Sequence, residues 1–223
     1  MSKTPKTVRL LGMIVATLLT VSCASTPKAP QNWDGLERIA SKRFTAVYAR
    51  PGIEFASYQN VLLDPVEVAF DKQWDPQSAR EDLAQRFTPE ALEAIDAEIA
   101  KEFRRLFAAE LRKGGYELVN TAGSNTLRIS PSLIDIYINA PVDISAGRPG
   151  TYMVEAGRMT LMMELRDGPT GQLLGRVVDQ KAGAATGYLE VSDSVAKSPG
   201  FRSAVTAWAT QLRLGLDEVN GRP

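Results

Sequence analysis

Three carboxylates beside apolar segments are the side chains of this sequence that could perform acid–base chemistry. Asp64 and Glu67 lie on either side of Pro65, and Asp135 lies in a second apolar segment. Two carboxylates held about 5 to 9 Å apart can hydrolyse a glycosidic bond by general acid and base catalysis. In the structural alternative, Asp64 shapes a turn, and Asp135 pairs with Arg128 or another base at a strand edge. We favour the structural interpretation and keep a carboxylate-based hydrolase as a distant alternative.

Overall composition argues against most other chemistry. The sequence contains no histidine, which removes the usual general base near neutral pH, the commonest metal ligand and the catalytic triads built on histidine. The 26 basic and 26 acidic residues give a formal net charge of zero, whereas nucleic-acid binding calls for clustered Lys and Arg. We therefore expect a protein that is not an enzyme, holds no cofactor or metal, and binds no nucleic acid.

The single cysteine, Cys23, follows the apolar run Leu10 to Val21 after one further residue, Ser22, and basic residues precede that run. A basic start followed by a short apolar core is the layout of a secretory signal peptide, and the run is too short to span a membrane. The end of the run, Thr20 to Cys23, resembles the bacterial lipobox, in which the cysteine thiol is acylated. The alternative is a buried free cysteine in an ordinary secreted protein. We favour lipidation of Cys23.

Lipidation predicts a location. Two or more acyl chains, such as palmitate, hold a protein stably at a membrane. Mature bacterial lipoproteins resemble one another in carrying a diacylglycerol and an N-acyl chain. The residue after the cysteine is Ala24 rather than Asp, and in lipoproteins of the enterobacterial type this implies sorting to the outer membrane. We expect a signal peptide over 1–22, a lipidated tether over 23–32, and one periplasmic domain over 33–223 at the outer membrane.

The domain is predicted to be of the α+β class, with two long helices on one face of a mostly antiparallel, twisted sheet. Apolar residues at three- and four-residue steps predict a helix from Pro89 to Lys113, with Leu92, Ile95, Ile99, Phe103 and Leu106 buried. Ser198 and Pro199 suit the start of a final helix that buries Phe201, Val205, Trp208, Leu212 and Leu216. A coiled coil is the alternative for the first helix, but its pattern ends too soon.

The remaining segments predict the strands, in the element order β, α, β, β, β, β, α. Residues 60–70 are interpreted as one bent strand, and residues 33–41 as a short helix or turn. Thr126 to Asn139 is a long strand with a bulge after Pro131. The clearest hairpin joins Arg158–Asp167 to Gln172–Lys181 through the turn "DGPTG". Met159, Met162 and Met163 could form an adaptable binding surface, but we interpret this segment as a core strand.

Several stretches together resemble a known family. They are "VYARPGIEFASYQNVLLDPVEVAF" and "NTLRISPSLIDI", with the lipobox before them and "DGPTGQLLG" after them. The chain resembles the bacterial lipoprotein family named domain of unknown function 3313, over nearly the whole mature sequence. The resemblance supports the predicted fold and cellular location, and it assigns no catalytic role.

Two functions remain open. The first is a lipid-anchored binding or scaffold module in an outer-membrane-associated complex, with an unknown envelope protein as partner. The second is a carrier that holds an apolar ligand between helix and sheet. A large internal pocket would favour the carrier, and a packed core with an exposed apolar patch would favour the scaffold. The long segment 140–156 is predicted to be a loop that contacts a partner through Ile144, Tyr152 and Met153.

Overall fold

The computed structural model describes residues 30–70, 89–139, 155–182 and 195–222. In these residues nine strands form one sheet, and two α-helices pack on it. The strands are β1 (Asn32–Trp33), β2 (Leu36–Ile39), β3 (Ala46–Ala49), β4 (Asn60–Leu63), β5 (Glu67–Phe70), β6 (Glu117–Leu118), β7 (Thr126–Asn139), β8 (Glu155–Asp167) and β9 (Leu173–Ala182). The helices are α1 (Pro89–Lys113) and α2 (Pro199–Val219). Short 3-10 turns lie at Phe55–Ser57 and Val195–Lys197.

The sheet is open and mixed, in the order β1-β2-β3-β9-β8-β7-β4-β6, and β5 also pairs with β7. In this order, neighbouring strands from β1 through β9 and β8 to β7 are antiparallel. Strands β4 and β5 run parallel to β7, and β6 runs parallel to β4. The predicted α+β class with a mostly antiparallel sheet is therefore confirmed. No helix in the described ranges has the length and apolar character needed to cross a membrane.

Helix α1 has the predicted bounds, and it ends because Gly115 adopts a positive φ of 74°. In this conformation the Tyr116 N–H turns back to the carbonyl of Leu111, which satisfies the free end of the helix. The predicted stripe is buried at Ile99, Phe103 and Leu106, whereas Leu92 and Ile95 in the first turns are only half-buried. The C-terminal half of α1 therefore provides most of its contribution to the core.

Helix α2 begins as its sequence predicts. The Ser198 Oγ accepts a hydrogen bond from the Phe201 N–H, and Pro199 needs no partner in the first turn. The predicted apolar stripe is buried throughout its length: Phe201, Val205, Trp208, Leu212 and Leu216. It joins α1 and the inward side chains of β7, β8 and β9 in one main core. Both helices therefore lie on one face of the sheet.

The opposite face carries a smaller apolar cluster covered by the β1–β2 hairpin. Its buried members are Leu36, Ala46 and Tyr48. The Trp33 ring lies edge-on to Tyr48 and packs against the Arg176 guanidinium, whose carbon is 4.0 Å from the ring centre. Arg176 also forms ion pairs with Asp34 and Glu164, at 2.8 and 2.6 Å. One arginine thus holds the N-terminal hairpin against the sheet.

Two sequence predictions about the first half of the chain were wrong. Residues 33–41 do not form a short helix or an isolated turn: Asp34 and Gly35 both adopt positive φ, at 53° and 77°, and form the tight turn of a hairpin between the strands β1 and β2. Residues 60–70 are not one strand but two, β4 and β5, separated around Pro65, which has no N–H to donate to a ladder. Five strands therefore precede α1, where the predicted order placed one.

The long strand β7 has the predicted bounds and the predicted bulge. Its pairing with β8 shifts register between Ile134 and Tyr137, a few residues after Pro131, and Asp135 at this point has a φ of 54°. The hairpin of β8 and β9 is also confirmed, with Gly171 at a positive φ in its turn. These central strands provide the floor on which the functional site is built.

Candidate functional site

A groove of about 580 Å³ lies between the C-terminal half of α2 and the turn that joins β2 to β3. We call it the α2 groove. On the sheet side it is lined by residues 39–44 and by Phe55, and on the helix side by residues of α2 from Leu212 to Val219. Its volume is within the range of sites that bind small molecules or side chains of a partner. Unlike an internal cavity, it opens to solvent along one side.

The floor of the α2 groove is apolar because it is part of the inward face of the sheet. Val47 of β3 pairs with Val177 of β9, and Leu165 of β8 lies on the same face. Leu165 and Val177 are buried, and Leu212 and Leu216 of α2 close the inner wall. The main core thus extends to the groove, and an apolar surface is accessible at this margin of the core.

Gly215 makes room in the helical wall. A methyl group built at this position would have no neighbouring heavy atom within 4 Å. Glycine in a helix costs about 1 kcal/mol relative to alanine, because it loses more backbone entropy on folding. The residue therefore does not serve the stability of α2. Its effect is to keep the wall of the groove open.

Asp179 holds the two walls at a fixed separation. This buried carboxylate of β9 accepts a hydrogen bond from the indole N–H of Trp208 in α2, at 2.8 Å. It also accepts from the N–H and the hydroxyl of Thr45, which follows the β2–β3 turn, at 3.0 and 2.6 Å. Burial raises the pKa of Asp179, but the hydrogen bonds from Thr45 and Trp208, together with the charge of Lys181, outweigh burial and leave the pKa below its ordinary value. The groove is therefore preorganised.

The mouth of the groove is charged. Arg43 on the turn forms an ion pair with Glu218 of α2, at 2.8 Å, and Lys42 lies beside it. The turn itself is ordered by Ser41, whose Oγ accepts hydrogen bonds from the backbone N–H groups of Arg43 and Phe44, at 3.1 and 3.2 Å. The cations are thus presented from a defined backbone position.

Apolar side chains form the two lips of the groove. Ile39 lies on the sheet side and Val219 on the helix side, and they are 48% and 47% exposed. Of the large apolar residues in the described chain, only these two and Leu214 are exposed. Apolar lips around an apolar groove are typical of a surface that another molecule covers.

The carboxylates predicted from the sequence lie elsewhere, on the opposite face and edge of the sheet. Asp64 accepts hydrogen bonds from Arg128, at 2.8 Å, and from Ser130, at 2.6 Å. The expected pair of Asp135 with Arg128 was therefore wrong, since Arg128 is bound to Asp64. Asp135 instead lies exposed in the bulge of β7, where it is the residue with positive φ. Glu67 lies 3.5 Å from the Ser132 hydroxyl.

The other sequence-based candidates have mixed outcomes. Met159 and Met163 are buried in the core, as interpreted from the strand pattern, while Met162 is only half-buried. Within the part of the chain that the structure describes, no three Asp, Glu, His or Cys side chains gather in a way that could hold a metal ion. Cys23, Ile144, Tyr152 and Met153 lie outside the described residues, so their roles stay predictions.

The sequence contained two signals of the groove that were not interpreted. Asp179 follows Val177 at the inward positions of an alternating strand, where an unpaired carboxylate would be costly, so it predicts buried donors nearby. Gly215 interrupts an otherwise good helix without ending it, which indicates a position where a side chain is unwanted. Neither signal alone identifies the groove. The residues that bind Asp179, Thr45 and Trp208, are distant from it in the chain.

Comparison with known proteins places the chain in a family without a described role. No curated protein matches it. Among solved structures, the PelC dodecamer from Paraburkholderia phytofirmans is similar at 15% identity and a TM-score of 0.39, over 76% of this chain and 95% of that one. A Xanthomonas campestris protein of the family DUF330 has 12% identity and a TM-score of 0.33, over 78% and 91%. The model of DUF3313 matches residues 28–212. The chain therefore belongs to the family described as Protein of unknown function (DUF3313).

Proposed function

We propose that the protein is a lipid-anchored, non-catalytic binding module of the bacterial cell envelope, and that its α2 groove docks an apolar segment of another envelope protein. The observation that carries the proposal is the groove itself. It combines an apolar floor, a wall opened by Gly215 and walls held in place by Asp179. A preorganised apolar surface binds without the cost of ordering it first.

The lips indicate why a protein segment is the better occupant. A small ligand on the floor would fill the space beside Leu165 and Val177 but would leave Ile39 and Val219 in water. A protein segment would cover the floor and both lips together, which buries more apolar area. The carrier is the second candidate, and the volume of about 580 Å³ favours it, because small-molecule sites have this size.

The anchor determines which partners the groove meets. Acylation of Cys23 would hold the domain at the periplasmic face of the outer membrane, where partners in the same surface are at high effective concentration. Weak binding in the groove is then sufficient for stable association with a partner. Metabolic labelling with a fatty-acid analogue tests the anchor: the wild type should be labelled, and undiminished label in Cys23→Ala would refute acylation at this residue.

A non-catalytic role is supported by the contacts of one candidate carboxylate, Asp64. Asp64 is engaged by Arg128 and Ser130, so its charge is already compensated and it is poorly placed to act as a base. With no histidine in the sequence, the common routes to a neutral-pH base are missing. Binding by shape and apolar contact requires neither a catalytic carboxylate nor a histidine.

Site-specific photo-crosslinking in cells tests the docking function. A photoreactive amino acid replaces Val219 on the lip, and a control replaces the exposed Glu117 on β6, at the other edge of the sheet. The same experiment is repeated with Gly215→Trp, which fills the groove, and with Gly215→Ala, which adds only a methyl group. Circular dichroism and urea unfolding confirm that each variant folds.

The proposal predicts a protein adduct of defined mass from position 219 and none from position 117. Gly215→Trp should abolish the adduct and Gly215→Ala should retain it, and mass spectrometry should locate the cross-link in an apolar segment. Adducts that contain only lipid would favour the carrier. Protein adducts that form equally well with Gly215→Trp would refute docking in the groove.

A further inference from the structure

Charge at the mouth of the α2 groove is unbalanced. Its charged lining residues are Lys42, Arg43 and Glu218, so two cations face one anion. Arg43 is held by Glu218, whereas Lys42 has no carboxylate at ion-pair distance in the described ranges. A ligand that enters the apolar floor therefore leaves its outer end beside an excess positive charge. Opposite charge at this end would be favourable.

The ion pair between Arg43 and Glu218 is suited to exchange. The two side chains are 36% and 71% exposed, and one nitrogen–oxygen contact of 2.8 Å joins them. Exposed pairs of this kind are weak, because water solvates each charge almost as well as the partner does. A carboxylate brought in by a bound segment can therefore replace Glu218 at Arg43 at little cost.

We infer that the groove selects segments in which an acidic group lies beside apolar side chains, and that Glu218 competes internally for the cation such a group needs. This selectivity rests on the proposed docking function. The apolar floor supplies affinity for any apolar segment, and Lys42 and Arg43 distinguish acidic segments from neutral ones. Removal of Glu218 should strengthen binding of an anionic ligand, even though it removes an ion pair from the free protein.

Two fluorescent dyes test the inference without a known partner. N-phenyl-1-naphthylamine is neutral, and 8-anilinonaphthalene-1-sulfonate is the same ring system with an added sulfonate, whose charge stands in for that of a carboxylate. Both dyes fluoresce more strongly in apolar sites, so titration gives a dissociation constant for each. The variants are Glu218→Gln, Arg43→Gln and Gly215→Trp. Arg105→Gln is the charge-matched control, because this exposed arginine pairs with Glu102 on α1.

The expected changes are of the size that exposed ion pairs produce. Glu218→Gln should tighten binding of the sulfonate dye by about two- to fivefold, and Arg43→Gln should weaken it by a similar factor. The neutral dye should be unaffected by either change, and Arg105→Gln should affect neither dye. Gly215→Trp should weaken both. High salt should abolish the difference between Glu218→Gln and the wild type, because it screens exposed charges.

The inference is overturned if Glu218→Gln leaves the sulfonate dye unchanged, if both dyes shift equally, or if neither dye responds to Gly215→Trp. These outcomes are separable from those of the docking experiment. Groove-dependent protein cross-links without dye selectivity would retain docking and reject the acidic preference. Dye selectivity without protein cross-links would retain the preference and assign the groove to an anionic amphiphile, as in a carrier.

Discussion

Substitution of Asp179 by alanine should destabilise the protein and loosen the α2 groove together. The carboxylate accepts from the Trp208 indole N–H at 2.8 Å and from the Thr45 N–H and hydroxyl at 3.0 and 2.6 Å. Trp208 is fully buried, so its donor would have no water to replace the lost acceptor. Thr45 is exposed, and water can take over its two hydrogen bonds.

The expected loss in unfolding free energy follows from this difference. A hydrogen bond to a charged group contributes about 1.5 to 3 kcal/mol, and an exposed one contributes much less because water competes for it. The bond from Trp208 therefore dominates, and the total should be about 2 to 4 kcal/mol. Because typical domains are stable by only about 5 to 15 kcal/mol, Asp179→Ala should fold but unfold at clearly lower urea concentration.

Urea unfolding of Asp179→Ala, Trp208→Phe and the double variant measures the coupling directly. If the contact is as described, the two single losses should not add, because each removes the same hydrogen bond. Asp179→Asn, which keeps one acceptor oxygen, should lose less than Asp179→Ala. A loss below about 1 kcal/mol for Asp179→Ala, or fully additive losses, would refute the role given to this carboxylate.

The pH dependence of stability provides a second test of the same contact. The folded protein holds the pKa of Asp179 below the ordinary value of 3.8, because the hydrogen bonds from Thr45 and Trp208 and the charge of Lys181 together outweigh burial. The stabilisation is therefore complete above that value and is lost as the pH falls below it toward the folded pKa. The stability difference between the wild type and Asp179→Ala should shrink over this acidic range and stay constant near neutral pH.

Three further predictions concern the rest of the fold. Phe103→Ala should cost about 3 to 5 kcal/mol in urea unfolding, because the side chain is 1% exposed and leaves a cavity in the core; a cost below about 1 kcal/mol would contradict the packing of α1. Arg176→Gln should speed amide hydrogen exchange in residues 30–39. Arg166→Gln should not, because it loses a bond to the same glutamate but its other hydrogen bond is to Gly171 rather than to the β1–β2 hairpin; equal effects would contradict the clamp. Burial and a hydrogen bond to a carboxylate raise the pKa of Tyr58 to about 12, so its contribution to stability should be complete below pH 10 and decline toward pH 12. Tyr58→Phe should reduce the decline in alkaline unfolding curves without removing it, because the pKa of Tyr116 is also raised to about 12.

The long elements could be predicted from the sequence because their signals are local and repeated. Helix α1 ends where glycines follow it, and α2 begins where Ser198 and Pro199 stand. Strand β7 has the predicted bounds, since apolar and polar residues alternate up to Pro131 and isoleucines continue the β-rich run beyond it. In each case many residues within one segment agree, and no distant contact is needed to establish the element.

The prediction of a short helix or turn at the β1–β2 hairpin was wrong for a physical reason. Trp33, Leu36 and Ile39 recur every three residues, which also fits one face of a helix. The Asp34–Gly35 turn signal was present, but the strands on either side, with two and four residues, are too short to show alternation. What stabilises them is distant: β3 supplies the ladder and Arg176 of β9 supplies the clamp.

The α2 groove lay beyond prediction for the same reason, and this also explains how it can be functional. Its walls are set by a carboxylate on β9 that binds Thr45 and Trp208, residues separated from it by 134 and 29 positions in the chain. These three groups lie outside the lining, while Gly215 and the charged mouth contribute little to the core. The hydrogen bonds that hold the walls are thus distinct from the wall, lip and mouth residues that would select a partner, although the floor is shared with the core. Changes at Gly215, Arg43 or Glu218 can therefore alter binding while the fold persists, as a binding role requires.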